Sequence, residues 1–545
     1  MRVRFPSDAP DRKMKKNRLH NLIVIVPALF ALSGCFFNFR EVEEEITVTP
    51  PKIEVISSVK INLQGRRQKT IYPTLSNSST KNPKYTFTSA NPNIASVTAE
   101  GEITGLAVGE TYINIVLQSN TDVKASVKVS VVDEVISHYD YTIMFYMCGS
   151  DLEYDASLKE EERHAFFTED IQEILSVKDI PDEVKIIIET GGTKQWNMPS
   201  EFLEGDTNPT KISSTNLQRW EVNNITNKLR LVKTLPTNYM ASEKSFEEFL
   251  SWGLDDYEAD QMGVVLSGHG GGIAGCVYDD NYTVNKSGSV WQRTLRTFEV
   301  ARAAEAALSN SDKEKFTWIG YDCCVMQCAD IASINANYFD YMVASQENEE
   351  ARGWNHDVYL PSLMNNPKIA PKEFLPKICD SFLLDKHREG ESGDQVCLQT
   401  LSVLELSAAS EFVESFNALT SKLGVSKASY NTAKLAFRNC DLNTFGGSIF
   451  GLADFSTYLD TLDYFDTSLD ITPVENALKK LVYYKQNCSK YLTKPCGVNI
   501  FFPLSLDKDL PLQVIREDYS NRLSTEFHLW QEMCVAYGDF SWDTI

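Results

Sequence analysis

Two short stretches hold residues able to do covalent chemistry. Val264-Val-Leu-Ser-Gly-His-Gly-Gly-Gly272 ends an apolar run on a histidine inside a glycine cluster. Trp318-Ile-Gly-Tyr-Asp-Cys-Cys-Val-Met-Gln-Cys328 ends a second apolar run on an acid and a cysteine pair, with Cys324 lying 55 positions after His269. A thiol with an ordinary pKa of about 8.5 is a poor nucleophile at neutral pH until a base takes its proton. His269 is a base of the right kind: it can take the proton from Cys324 and return it to a leaving amine. Glycines around the histidine let backbone approach a substrate, so the amides of Gly270 and Cys324 are candidate donors to an oxyanion. The chemistry so described is attack on an amide carbonyl.

For both groups to meet, the chain must bring two strand ends to one place. From Tyr141 onward, apolar strands alternate with amphipathic helices. Strands are expected at 142–147, 184–188, 262–266, 316–319 and 341–344, and helices at 161–178, 245–257, 295–308 and 324–335. This grammar predicts an α/β fold with a mostly parallel sheet flanked by helices. Sites in such sheets form beyond the carboxyl ends of strands, where His269 and Cys324 both fall. A helix starting at Cys324 would lower the thiol pKa through its N-terminal dipole.

Other parts of the chain bound the answer. At 545 residues it exceeds one domain, and 43% apolar residues support a large core. A net charge of −23 argues against nucleic acid as a partner. Residues 1–34 carry a basic start, an apolar run from Leu22 to Leu32 too short to span a bilayer, and small residues before Cys35. This predicts a cleaved signal, with Cys35 lipidated as in bacterial lipoproteins and the protein held at the cell envelope by that anchor. Residues 35–53 read as an acidic tether. Residues 54–133 read as all-β, because Val123, Ala125, Val127, Val129 and Val131 alternate with polar residues. Residues 140–360 form the α/β part, and 361–545 are mainly helical. Twelve cysteines show no metal-type repeat. A zinc set of His269, Cys276, Cys323 and Cys328 has the right ligand types but matches no common spacing, so no metal is expected.

Two resemblances follow from quoted stretches. Ser89 to Val97 with Gly101 to Gly109 resembles the bacterial immunoglobulin-like domain, which implies a sandwich serving as a spacer. Five stretches resemble the clostripain family of cysteine peptidases, in order: Tyr141 to Glu153, Leu266 to Gly271, Asp322 to Met326, Ala344 to Trp354 and Gly497 to Pro503. The resemblance implies a caspase-like fold and an endopeptidase acting on peptide or protein substrates. In it, His269 is the catalytic histidine, Cys324 the nucleophile, and Asp322 the acid of the S1 pocket that pairs with an arginine or lysine of the substrate. Cys323 stands where the family usually has alanine, and Arg352 sits in the loop bounding that pocket. Calcium dependence and activating cleavage between the histidine and cysteine motifs occur in the family. They direct attention to Asp255, Asp256, Asp279 and Asp280, and to the polar linker 279–296 with Lys286, Arg293 and Arg296. The alternative reading is a surface lipoprotein that keeps the fold as a protein- or glycan-binding module. Oligomeric state is not encoded in any of these features.

Overall fold

The structure is a computed structural model. It describes residues 50–134, 138–205, 211–286, 289–382, 399–440, 444–445, 451–487, 495–502 and 527–537. The signal, Cys35, most of the tether and Pro503 lie outside the described residues. Among the described residues no helix is long and apolar enough to cross a membrane.

The alternating valines form the strand Lys124–Val132, which pairs with Ser58–Asn62 on one side and Gly109–Leu117 on the other. Tyr85–Ser89 completes this four-stranded sheet, and a three-stranded sheet from Gln68–Thr70, Glu102–Gly105 and Ala95–Val97 accompanies it. Period-2 patterning sends Ile103, Ile113, Ile115, Val127 and Val129 into one dry core.

A nine-stranded mixed sheet organises the rest. In chain order its strands are β1 (Tyr139–Cys148), β2 (Val184–Gly191), β3 (Gln218–Asn223), β4 (Lys228–Thr234), β5 (Ala259–Ser267), β6 (Phe316–Asp322), β7 (Phe339–Ala344), β8 (Thr400–Glu405) and β9 (Val482–Asn487). Their spatial order is β4-β3-β2-β1-β5-β6-β7-β8-β9. The five central strands run parallel, while two antiparallel strands close each edge. The sheet is therefore mixed, with the parallel part confined to its middle. Strands β8 and β9 come from beyond residue 361, so the mainly helical portion also completes the sheet.

Both faces are buried, as the unbroken apolar runs of β1 and β5 require. Met144, Tyr146, Val264 and Leu266 pack against Phe246, Phe249 and Leu250 of helix α2 (Glu243–Tyr257) and against helix α3 (Thr297–Leu308). Ile143, Phe145, Val265 and Trp318 face the other way, toward helix α1 (Phe166–Ser176), helix α5 (His356–Asn365) and helix α6 (Pro371–Phe382). Helix α4 spans Ala329–Asn335. Helix α1 begins later than its apolar pattern predicts. Its first turn is fixed by a distant residue: the Glu153 carboxylate accepts from the Thr168 N–H at 2.9 Å, satisfying an otherwise orphaned amide.

The all-β part is docked on the α/β part. The Arg66 guanidinium lies 3.0 Å from Asp179 and donates to the Asn224 carbonyl at 2.8 Å. The Lys69 ammonium donates to the carbonyls of Asp179 and Met364 at 3.0 and 2.9 Å, and burial lowers its pKa to about 8. Replacing Arg66 by alanine removes charge-assisted bonds that are each worth about 2 kcal/mol. It is expected to lower the denaturation midpoint of the full chain and speed proteolysis between residues 133 and 140. Unchanged cleavage kinetics would mean that this contact does not persist in solution.

Candidate active site

Strand register puts the two chemical stretches side by side. Ser267 pairs with Met147 of β1 on one side and with Asp322 of β6 on the other. The chain leaving each strand then enters the same edge, and the Gly268 N–H donates to the Asp322 carbonyl at 3.2 Å. His269 and Cys324 line one cavity of about 170 Å³, together with Asp170, Asp322, Glu349 and Gly353. A methyl group on Gly270 would lie 2.1 Å from the Cys324 carbonyl oxygen, so only glycine lets these two backbones touch. Val277 and Val325 adopt φ of 56° and 55°, a costly choice for β-branched residues. Val277 donates its N–H to the His269 carbonyl at 2.9 Å, and Val325 directly follows the thiol, so the strain sits where it shapes the site.

His269 Nε2 lies 2.7 Å from Asp151 Oδ1. Asp151 follows β1, and the hydrogen bond from His269 holds its carboxyl below the usual range. The Cys324 thiol accepts from the Glu349 N–H at 3.3 Å and lies 3.7 Å from the Glu349 carbonyl. No hydrogen bond joins His269 to Cys324 among the described residues. Imidazole and thiol face a common space, each held by another partner. Such pairs commonly tighten only when substrate arrives.

The expected helix at Cys324 does not form. Helix α4 starts at Ala329, because the Val325 and Gln327 amides instead donate to the carbonyls of Glu347 and Ser345 at 3.0 and 2.9 Å. Without a helix terminus beside it, the thiol pKa is raised rather than lowered. Burial is the main cause, with Glu347 and Asp322 adding to it and the Glu349 amide opposing it. Cys323 is fully buried with its sulfur directed at the Leu266 carbonyl, 3.4 Å away, which leaves Cys324 as the thiol facing the cavity.

Asp322 is almost fully buried, its side chain 4% exposed. Burial pushes its carboxyl up to about 7, against the pull of Glu349 and the Trp354 amide. Asp170 of α1 and Glu349 share the space, and both are raised by burial and by the Asp322 charge. A methyl group on Gly353, whose φ is +60°, would fall 2.7 Å from Asp322 Oδ1; the bare glycine keeps that carboxylate reachable. Arg352 is exposed and does not line the cavity. The late stretch braces the pocket loop: Gly497 N–H donates to Gln346 Oε1 at 2.7 Å, and Asn499 donates to the Gln346 carbonyl at 2.8 Å.

Several other expectations are resolved by position. Asp279 accepts from the Met240 and Asn281 amides at 2.6 and 2.8 Å and is thereby a turn-fixing residue. Asp255 and Asp256 lie exposed at the end of α2, and none of these aspartates gathers into a metal-holding group among the described residues. The zinc set of His269, Cys276, Cys323 and Cys328 does not gather either. The nine described cysteines are free thiols, eight of them buried. The linker 279–296 lies largely in the hairpin Cys276–Lys286 with Ser289–Leu295, where Arg293 pairs with Glu299. Asp151, Asp170 and Glu349 were missed by sequence reasoning. Asp151 had a signal, being an acid just past the end of an apolar strand. Asp170 had none, since it is one acid among several on a helix.

A cysteine and a histidine lining one cavity at the carboxyl edge of an α/β sheet are an arrangement that cysteine peptidases use. The clostripain family model matches residues 146–528, and the chain belongs to that family. Cysteine peptidases of this family generally need no cofactor. A bacterial immunoglobulin-like domain of group 2 matches residues 44–129. No curated protein matches the chain. Among solved structures, a secreted C11 cysteine protease from Bacteroides thetaiotaomicron is 16% identical, with 67% of this chain and 93% of that one covered at a TM-score of 0.48. An inactive zymogen C11 protease from Parabacteroides distasonis is also 16% identical, covering 73% of this chain and 99% of that one at a TM-score of 0.49.

Two outcomes follow from this geometry. Gly270→Ala must push the 270 and 324 backbones apart and displace both amides, so kcat/KM should fall by at least about 100-fold, with a thermal melt run alongside to separate this from unfolding. Alkylation of Cys324 by iodoacetamide in the substrate-free chain should keep accelerating above pH 9, because its thiol is raised from the ordinary value. A rate that plateaus near pH 7 would contradict the raised thiol.

Proposed function

We propose that the protein is an endopeptidase that cleaves after arginine or lysine by a Cys324–His269 dyad, with Asp151 orienting the histidine. The observation that carries this reading is a single cavity bordered by His269 and Cys324 and floored by buried carboxylates. A basic side chain entering it meets Asp322, and the charge-assisted pair seats the scissile carbonyl over the Cys324 sulfur. His269 accepts the thiol proton as the C–S bond forms. The Gly270 and Cys324 amides receive the oxyanion. Collapse of the tetrahedral intermediate breaks the C–N bond, and His269 returns its proton to the departing amine. Water, deprotonated by His269, then hydrolyses the thioester. Asp151 keeps one imidazole nitrogen committed and stabilises the imidazolium.

The substrate also helps to activate the nucleophile. Asp322 is one of the charges that raise the Cys324 thiol, and a substrate cation paired with Asp322 offsets it. Residues 140–360 with 361–545 make up the peptidase, and 54–133 is its immunoglobulin-like spacer. Cleavage of residues 1–34 and lipidation of Cys35 place it at the cell envelope, outside the cytoplasm, facing peptide or protein substrates. The basic start, the short apolar run and the small residues before Cys35 support that placement.

Cys324→Ala should abolish turnover of fluorogenic peptides. Asp322→Asn should lower kcat/KM for arginine and lysine peptides by about 100-fold or more while sparing peptides with an uncharged residue there. Asp151→Asn should reduce kcat by at least about tenfold, less than His269→Ala does. Since Asp322 titrates at about 7, kcat/KM for basic peptides should climb as pH rises through that value and the carboxylate forms. Equal turnover of basic and uncharged peptides by the wild-type chain would sink the specificity claim.

A further inference from the structure

Beneath the cavity, Asp322 at the end of β6, Asp170 on α1 and His356 at the start of α5 converge. One ligand atom from each lies within 4.8 Å of the other two, and all three residues are buried. His356 is the informative member. It is fully buried, and its Nε2 has no hydrogen-bond partner while lying 3.9 Å from Asp322 Oδ2. Its Nδ1 is 2.8 Å from the Tyr359 hydroxyl, and its ring packs edge-on against Phe145 at 5.2 Å between centroids. The ring is thus fixed with a bare nitrogen aimed at a carboxylate, the outer bracing that metal-binding histidines have. Burial pushes its pKa down to about 3, so the imidazole is neutral, the form that coordinates.

We propose that Asp170, Asp322 and His356 form a site for a divalent cation of the zinc class, which competes there with the basic side chain of the substrate. Four-coordinate zinc with bonds of about 2.0–2.2 Å needs ligand atoms roughly 3.3–3.5 Å apart; the 3.9 Å between His356 Nε2 and Asp322 Oδ2 must close by about half an ångström, and pairs at the 4.8 Å limit by about 1.5 Å. One imidazole with two carboxylates favours zinc over calcium or magnesium, which take oxygen ligands. Asp170 and Asp322 border the open cavity, which supplies an entry path and a position for water as fourth ligand. The groups facing this cluster are Glu173 of α1, Glu349 of the pocket loop, Tyr359 of α5 and the Cys324 thiol. The competition half of this inference rests on the role proposed above for Asp322; the binding half does not.

The test uses the full chain carrying Cys324→Ala and His269→Ala, so that the thiol and its partner cannot hold the metal. Titration with Zn²⁺, and with Co²⁺ followed by visible absorption, should show one equivalent in a four-coordinate nitrogen–oxygen environment. Adding His356→Gln should weaken binding at least about tenfold, and adding Asp170→Asn should do the same, with thermal melts showing each variant folded. In the active chain, Zn²⁺ should raise KM for an arginine peptide without changing kcat, and a chelator should reverse this. His356→Gln alone, measured against its own metal-free turnover, should need at least about tenfold more Zn²⁺ for half inhibition. Loss of binding in the Cys324→Ala, His269→Ala background would assign any zinc effect to the catalytic pair and overturn the site. Binding that neither His356→Gln nor Asp170→Asn weakens would overturn it as well. Failure of the basic-residue reading would instead appear in metal-free protein as equal turnover of charged and uncharged peptides, with the Co²⁺ spectrum unaffected.

Discussion

The parallel pairing of β1, β5 and β6 is the constraint on which the site depends. Residues far apart in the chain become neighbours because three strands end flush, Met147 beside Ser267 and Ser267 beside Asp322. Asp151, His269 and Cys324 each lie within four residues of those ends. A shift of one residue in either pairing would turn every side chain to the opposite face and separate Asp151, His269 and Cys324. The packing on both faces makes such a shift prohibitive, since it would exchange two complete sets of buried side chains.

Electrostatics at the site runs against the usual expectation for a reactive cysteine. The thiol lies among carboxylates, has no helix terminus beside it, and is raised. Asp322, one of the charges that raise it, also lines the cavity, so the charge on that carboxylate is felt at the sulfur.

Helix α1 links this balance to the rest of the molecule. Its first turn is anchored by Glu153, which follows Asp151 by two residues. Its middle contributes Asp170 to the cavity, and just past its end Asp179 receives Arg66 and the Thr70 amide of the immunoglobulin-like part, the latter at 2.9 Å. The spacer is therefore in direct contact with the segment that carries a cavity residue, rather than swinging freely on a tether.

Much of this was legible in the chain itself. Apolar runs with period-2 and helical spacing determined the strands, the main helices and the two-part architecture. Glycines around His269 and the Asp322-Cys323-Cys324 triplet marked the chemistry, because few other roles require those residue types together. What the sequence could not decide were the partners reached through space. The antiparallel strands at both sheet edges depend on which segments the core leaves uncovered. The absent helix at Cys324 depends on the Ser345 and Glu347 carbonyls that claim the Gln327 and Val325 amides. Asp151 meets His269, and Asp170 and His356 meet Asp322, only when separate elements pack together. Local pattern records which residues are buried and at what period, whereas tertiary packing alone decides which buried charges share the same dry space.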